Sequence, residues 1–212
     1  MGKKRLFIII GSLFLLLIFQ GCTKKHNNLI GTWYGENNTN ITLNEDGTFI
    51  SDWILNGNYT VNEELKKVIL NSSFDTRELE YDEENNLLIF NETLKFFRTE
   101  EELNKYIENQ ISEALKKVQD NIVGKWKREL IGAKDEIEFF EDGTYIHSTE
   151  GYIGKELGEG TYSLEKTDND SYKDYCIIKF TDKEGKEFKS YISINNKSMY
   201  LDNVKKSYEK ID

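Results

Sequence analysis

ITLNEDGTFI, residues 41–50, and IEFFEDGTYI, residues 137–146, are one phrase written twice in a single chain. In each, apolar residues alternate with polar ones up to an Asp-Gly pair and resume beyond it. Ile41 and Leu43 precede the first pair and Phe49 follows it; Ile137 and Phe139 precede the second and Tyr145 follows it. Alternation at period two marks a half-buried strand. Asp-Gly between two such runs signals a hairpin, because a type I′ turn needs positive φ at both central positions. Each phrase is therefore expected to fold one strand back on the strand before it.

The phrase belongs to a longer repeat. LIGTWYG (29–35) matches IVGKWKR (122–128), and NGNYTV (56–61) matches EGTYSL (159–164). With the hairpin phrase, three blocks recur in one order at offsets of 93, 96 and 103. Tandem duplication explains all three, and the growing offset implies longer connections in the second copy. Further strand-like runs follow in both copies: KKVILN, TRELEY, NLLIF and LKFFR in the first, YCIIKF, EFKSYISI, SMYL and KSYEKI in the second. Polar turn clusters separate them. Each copy reads as about eight short antiparallel strands in a meander, which tends to close into a barrel because closure removes exposed edges.

Between the copies, residues 99–121 carry Leu103, Tyr106, Ile107, Ile111, Ala114, Leu115 and Val118 on one helical face. Thr99 and Glu102 have capping-box spacing, and Lys116 and Lys117 are placed in the last turn. The fold class is thus mainly β: two tandem antiparallel meander or barrel domains, 29–98 and 122–212, joined by one amphipathic α-helix over 99–121. The apolar stripe of that helix is expected to dock on one or both domains, a dimerising helix pair being the alternative.

The N-terminus reads differently. MGKKR is a positive start, and residues 6–19 are an apolar run of 14 residues, about 21 Å as a helix against a hydrocarbon core of about 30 Å. Residues 1–21 are therefore read as a signal peptide. The run ends in FQGC, which resembles the lipobox of bacterial lipoproteins. That resemblance implies lipidation of Cys22, a tether over residues 22–28, and a chain anchored to the extracytoplasmic face of the cell membrane. Cys176, in an apolar strand-like run, is read as a small buried hydrophobe without a disulfide partner.

The repeat also carries a resemblance. G-x-W, then D-G-T-[FY], then G-x-Y is similar to the small lipocalin-like domains of bacterial lipoproteins. The matching residues are Gly31, Trp33, Asp46, Gly47, Thr48, Phe49, Gly57 and Tyr59, and in the second copy Gly124, Trp126, Asp142, Gly143, Thr144, Tyr145, Gly160 and Tyr162. It implies that Trp33 and Trp126 close one end of each barrel, with Arg98 packed over Trp33 and Lys206 or Lys210 in the corresponding place in copy two. The first copy, at about 70 residues, is too short for a roomy cup and is expected to be filled by side chains.

The chain has a formal charge of −10; three of its 28 basic residues lie before residue 22, leaving 25 against 38 acidic ones. That balance repels nucleic acid. Histidine occurs only at His26, in the tether, and at His147, which is placed on the opposite face of its strand from Tyr145. No spacing suggests zinc or a calcium loop, and no cofactor or metal is expected. Glu136, Glu138, Glu141 and Asp142 are read as a solvated face and turn. Trp53, which has no counterpart in copy two, is freer to serve a site.

The chain is accordingly read as a non-catalytic lipoprotein that binds a small apolar molecule or an envelope component. An interaction or inhibitor lipoprotein with filled barrels is the alternative, and a carboxylate-dependent hydrolase a remoter one. Any small-molecule site is expected in copy two, under a loop formed by residues 148–160, with Tyr152, Ile153 and Leu157 as contacts.

Overall fold

The computed structural model describes residues 28–151, 154–202 and 206–211. Residues 1–21, read above as a signal peptide, and Cys22, His26, Tyr152 and Ile153 lie outside the described residues. Barrel 1 is a closed ring of β1 (Gly31–Gly35), β2 (Asn40–Leu43), β3 (Thr48–Ser51), β4 (Gly57–Asn62), β5 (Lys67–Ser72), β6 (Thr76–Asp82), β7 (Leu87–Phe90) and β8 (Leu94–Phe97). Helix α1 (Glu100–Asn121) follows. Barrel 2 closes from β9 (Gly124–Leu130), β10 (Ala133–Phe139), β11 (Thr144–Gly151), β12 (Gly154–Lys166), β13 (Cys176–Asp182), β14 (Glu187–Asn195), β15 (Ser198–Leu201) and β16 (Lys206–Ile211). Both are antiparallel meanders.

The repeated motifs do the same work twice. The Nε1 of Trp33 donates to Leu29 O at 2.9 Å, and that of Trp126 to Ile122 O at 2.7 Å. Both rings are fully buried. Arg98 stacks over Trp33 at 4.5 Å and Lys210 over Trp126 at 5.3 Å. In each Asp-Gly-Thr turn the Asp carboxylate accepts from the Thr hydroxyl at 2.6 Å. The turn differs from the expected I′ type. Gly47 N donates to Asn44 O and Gly143 N to Phe140 O, and of the two central residues only the glycine has positive φ, 84° and 81°. A type I turn followed by a left-handed glycine makes a three-residue hairpin, and Asp serves it as a side-chain acceptor.

The G-x-Y motif locks onto that turn. Tyr59 OH donates to Asn44 O at 3.0 Å and Tyr162 OH to Phe140 O at 3.1 Å. A Cβ on Gly57 or Gly160 would collide with the carbonyl oxygen of Asn71 or Thr181 on the next strand. Glycine therefore permits the close approach of strands four and five in both barrels.

Helix α1 begins with the capping box: Glu102 N donates to Thr99 Oγ1 at 3.1 Å and Thr99 N to Glu102 Oε2 at 3.2 Å. It runs one turn past Lys116 and Lys117, so its last turn holds no base. Lys210 of β16 takes that role by donating to Asn121 O at 3.0 Å. Ile107, Ile111, Ala114 and Val118 are buried, and Val118 and Leu115 join the core of barrel 2. Tyr106 packs on Phe97 of barrel 1 with ring centroids 5.1 Å apart. The helix docks on both barrels of its own chain. A half-buried ion pair, Glu36 of barrel 1 with Lys173 of barrel 2, adds a direct link between them.

Candidate functional site

Each barrel has a tryptophan end, where Trp33 or Trp126 lies, and an opposite end. The opposite ends differ. In barrel 1 the far end is apolar. Trp53 packs against Phe90 at 4.7 Å and Phe96 at 5.8 Å, and Arg77 covers both rings of the Trp53–Phe90 pair at 5.6 and 5.3 Å. Leu43, Phe49, Val68, Leu70, Leu79 and Leu88 fill the space between the two tryptophans. The expectation of a filled first barrel is met, and Trp53 is spent on closing it.

In barrel 2 the far end is charged. Asp135 on β10 is 2% exposed. Its Oδ1 stands 2.6 Å from His147 Nε2 on β11 and 3.5 Å from Thr149 Oγ1, while its Oδ2 accepts from Tyr208 OH on β16 at 2.8 Å and from Arg128 Nη2 on β9. The guanidinium of Arg128 also covers the Tyr208 ring at 4.8 Å. Four donors thus saturate one carboxylate. Burial works upward on its pKa, but the hydrogen bonds from His147, Tyr208 and Arg128 outweigh it and hold Asp135 at about 2. The Tyr208 hydroxyl is pushed well above its ordinary 10.0, by burial first and by the Asp135 charge second. At neutral pH the cluster is a buried carboxylate–guanidinium pair with a neutral phenol.

His147 corrects an expectation. It shares the inward face with Tyr145, because residues two apart on a strand point the same way. It pairs across the sheet with Ile137, two residues from Asp135 on the same face. The same rule was the missed signal for the whole cluster. Asp135 is in phase with Ile137 and Phe139, Arg128 with Trp126, and His147 with Tyr145, each a charged or titratable group on a core face.

Strand register aligns the two ends residue by residue. Trp33 pairs with Ile41 as Trp126 pairs with Ile137, and Ile41 pairs with Ser51 as Ile137 pairs with His147. Gly35 pairs with Phe96, and Lys210 with Trp126. Arg128, Asp135, His147, Thr149 and Tyr208 therefore stand where barrel 1 has Gly35, Thr39, Ser51, Trp53 and Phe96. A Cβ on Gly35 would meet Thr39 O first, then Thr39 Oγ1 at 2.6 Å and Phe96 Cδ1 at 2.8 Å, so Thr39 and the Phe96 ring leave no room there for the side chain that barrel 2 carries as Arg128.

The expected contact loop is also different. Residues 148–151 and 154–160 are strand, extending the β11–β12 hairpin to the pair Gly151–Gly154. Leu157, opposite Ser148, is 63% exposed, alternating with Gly158, which pairs with His147. It stands on the outer surface, not over the interior. The acids Glu136 and Glu138 are outward as expected, with Glu136 paired to Lys125 at 2.8 Å.

Beside the cluster the hydrogen-bonded ladder that closes barrel 2 is short. β9 and β16 pair at Lys125–Ile211, Trp126–Lys210 and Lys127–Glu209, and the ladder stops there although both strands continue. A cleft of about 410 Å³ lies at this seam, lined by Lys127, Arg128, Glu129, Ser207, Glu209 and Ile211. Arg128 Nε is buried and, among the described residues, has no hydrogen-bond partner. A second surface cleft of about 370 Å³ lies over Gly160 between β11, β12 and β13.

Compared with known proteins, no family model, no curated protein and no solved structure matches this chain significantly.

Proposed function

We propose that this chain is a non-catalytic, lipid-anchored binding protein of the extracytoplasmic face of a bacterial membrane. Cys22 is the anchor, barrel 1 with helix α1 is a filled spacer, and barrel 2 binds a polar envelope component at its charged end. One observation carries the reading: the same fold closes the same end with Phe96 and Trp53 in one copy and with Arg128, Asp135, His147 and Tyr208 in the other. A buried ion pair is on balance no more stabilising than well-packed apolar residues of similar volume. The fold does not require it, so its retention in one copy points to a use. The charge of the site favours a polar ligand over a purely apolar one.

The test is native mass spectrometry of the full chain, purified in detergent from its own cells, beside Asp135→Asn. A small molecule retained by the wild-type protein and lost from the folded variant supports the reading. An empty wild-type protein, or a molecule retained equally by both, overturns it and leaves the interaction protein with filled barrels as the better account.

A further inference from the structure

We infer that the cleft between β9 and β16 receives the end of a short extended peptide and reads its free carboxylate with Arg128; this rests on the binding role proposed above and names its ligand. The first ground is the interrupted ladder. The pair that would follow Lys127–Glu209 by one step is Arg128 with Tyr208, and it is not formed. Its counterpart in barrel 1, Gly35 with Phe96, is formed. The ladder therefore ends at the position where barrel 2 has its charged residues. Two strand edges facing a cleft offer backbone N–H and C=O groups at peptide spacing, which an extended peptide satisfies as an added strand.

The second ground is the arginine. Arg128 lines the cleft, and Asp135 occupies its Nη2 and fixes the guanidinium plane. The buried Nε–H has no partner among the described residues. An orphaned buried donor is costly, and a planar fork held from behind is matched in geometry by a carboxylate. The third ground is charge of both signs. Lys127 and Arg128 stand beside Glu129 and Glu209, with Lys127 Nζ 2.8 Å from Glu129 Oε1. A cleft meant for a simple polyanion has no need of the two glutamates. A peptide with a carboxylate at one end and an ammonium at the other satisfies both sets, and about 410 Å³ accommodates a few residues.

The probe is tri-L-alanine with a free carboxylate, titrated calorimetrically into the full chain in detergent, with its C-terminal amide and acetate alone as comparisons. We expect the free acid to bind and the amide to bind at least about tenfold more weakly, the cost of one charge-assisted contact. Amide chemical shifts should move at 127–129 and 207–209. Arg128→Lys, which keeps the charge but not the fork, should weaken the free acid by about tenfold with an unchanged circular dichroism spectrum. Should that variant fail to fold, the contrast of acid with amide on the wild-type protein still decides. Equal binding of acid and amide, acetate binding as tightly as the peptide, or shifts elsewhere would overturn the inference. No peptide binding together with a native ligand lost in Asp135→Asn sinks the peptide and spares the binding role; absence of both sinks both.

Discussion

His147 Nε2 and Asp135 Oδ1 stand 2.6 Å apart, on neighbouring strands of a barrel whose twin has Ser51 and Thr39 in their places. The contact joins a half-exposed ring to a carboxylate with 3% of its side-chain surface exposed. It connects the outside of barrel 2 to a buried charge network that barrel 1 does without.

Replacing Asp135 by Asn should therefore destabilise barrel 2 by roughly 3 kcal/mol, because Arg128 is left buried without a counter-charge. Thr39→Ala, at the matching position of barrel 1, should cost under about 1 kcal/mol. Urea unfolding of the two variants, followed by tryptophan fluorescence, measures both. Equal costs would mean that the network contributes nothing beyond ordinary packing.

Acid should expose the same network. The Asp135 carboxyl is depressed from its ordinary 3.8 to about 2 in the folded chain. A depressed folded value contributes stability that is fully present above the unfolded value, and that is lost as pH falls from about 4 towards about 2. The contribution is roughly 2 kcal/mol at neutral pH. The stability gap between wild type and Asp135→Asn should narrow across that window. A gap that stays constant from pH 6 to pH 2 would contradict the assignment.

Gly57→Ala and Gly160→Ala should each destabilise by about 2 kcal/mol or more, since the added methyl meets a backbone carbonyl that cannot swing away. Gly185→Ala adds its methyl in open space and carries only the strain of a φ of 81°. It should cost about 1 kcal/mol. Thermal melts of the three variants rank them, and an inverted order would show that the strand contact is softer than its geometry.

The two cysteines should separate cleanly. Burial pushes the Cys176 thiol up to about 12, so it should resist alkylation until the protein unfolds. Under the proposed anchoring, Cys22→Ala should leave the precursor uncleaved or release the protein from the membrane fraction. Fractionation and intact mass read both outcomes; a variant with unchanged processing and unchanged detergent partitioning would remove the anchor from the proposal.

The sequence by itself determined the architecture, because the features that specify it are local and were written twice. Alternation about Asp-Gly, the G-x-W and G-x-Y blocks, and the Thr99–Glu102 box around an apolar stripe each act within a few residues, and two eight-stranded barrels with a helix between them follow. Arg98 over Trp33 was expected from the lipocalin-like resemblance, and it stands there. What only the tertiary structure decided was which residues meet across a closed ring. Arg128 and Tyr208 lie on the first and last strands of barrel 2, 80 positions apart, and Asp135 stands 73 from Tyr208. Their convergence depends on how the seam closes, which no window of sequence contains. Face parity could have singled out Asp135 and His147, since each alternates in phase with core residues. That they form a single saturated network beside the short closing ladder, where barrel 1 is closed by aromatic rings, depends on register summed around eight strands. Only the folded ring fixes that sum.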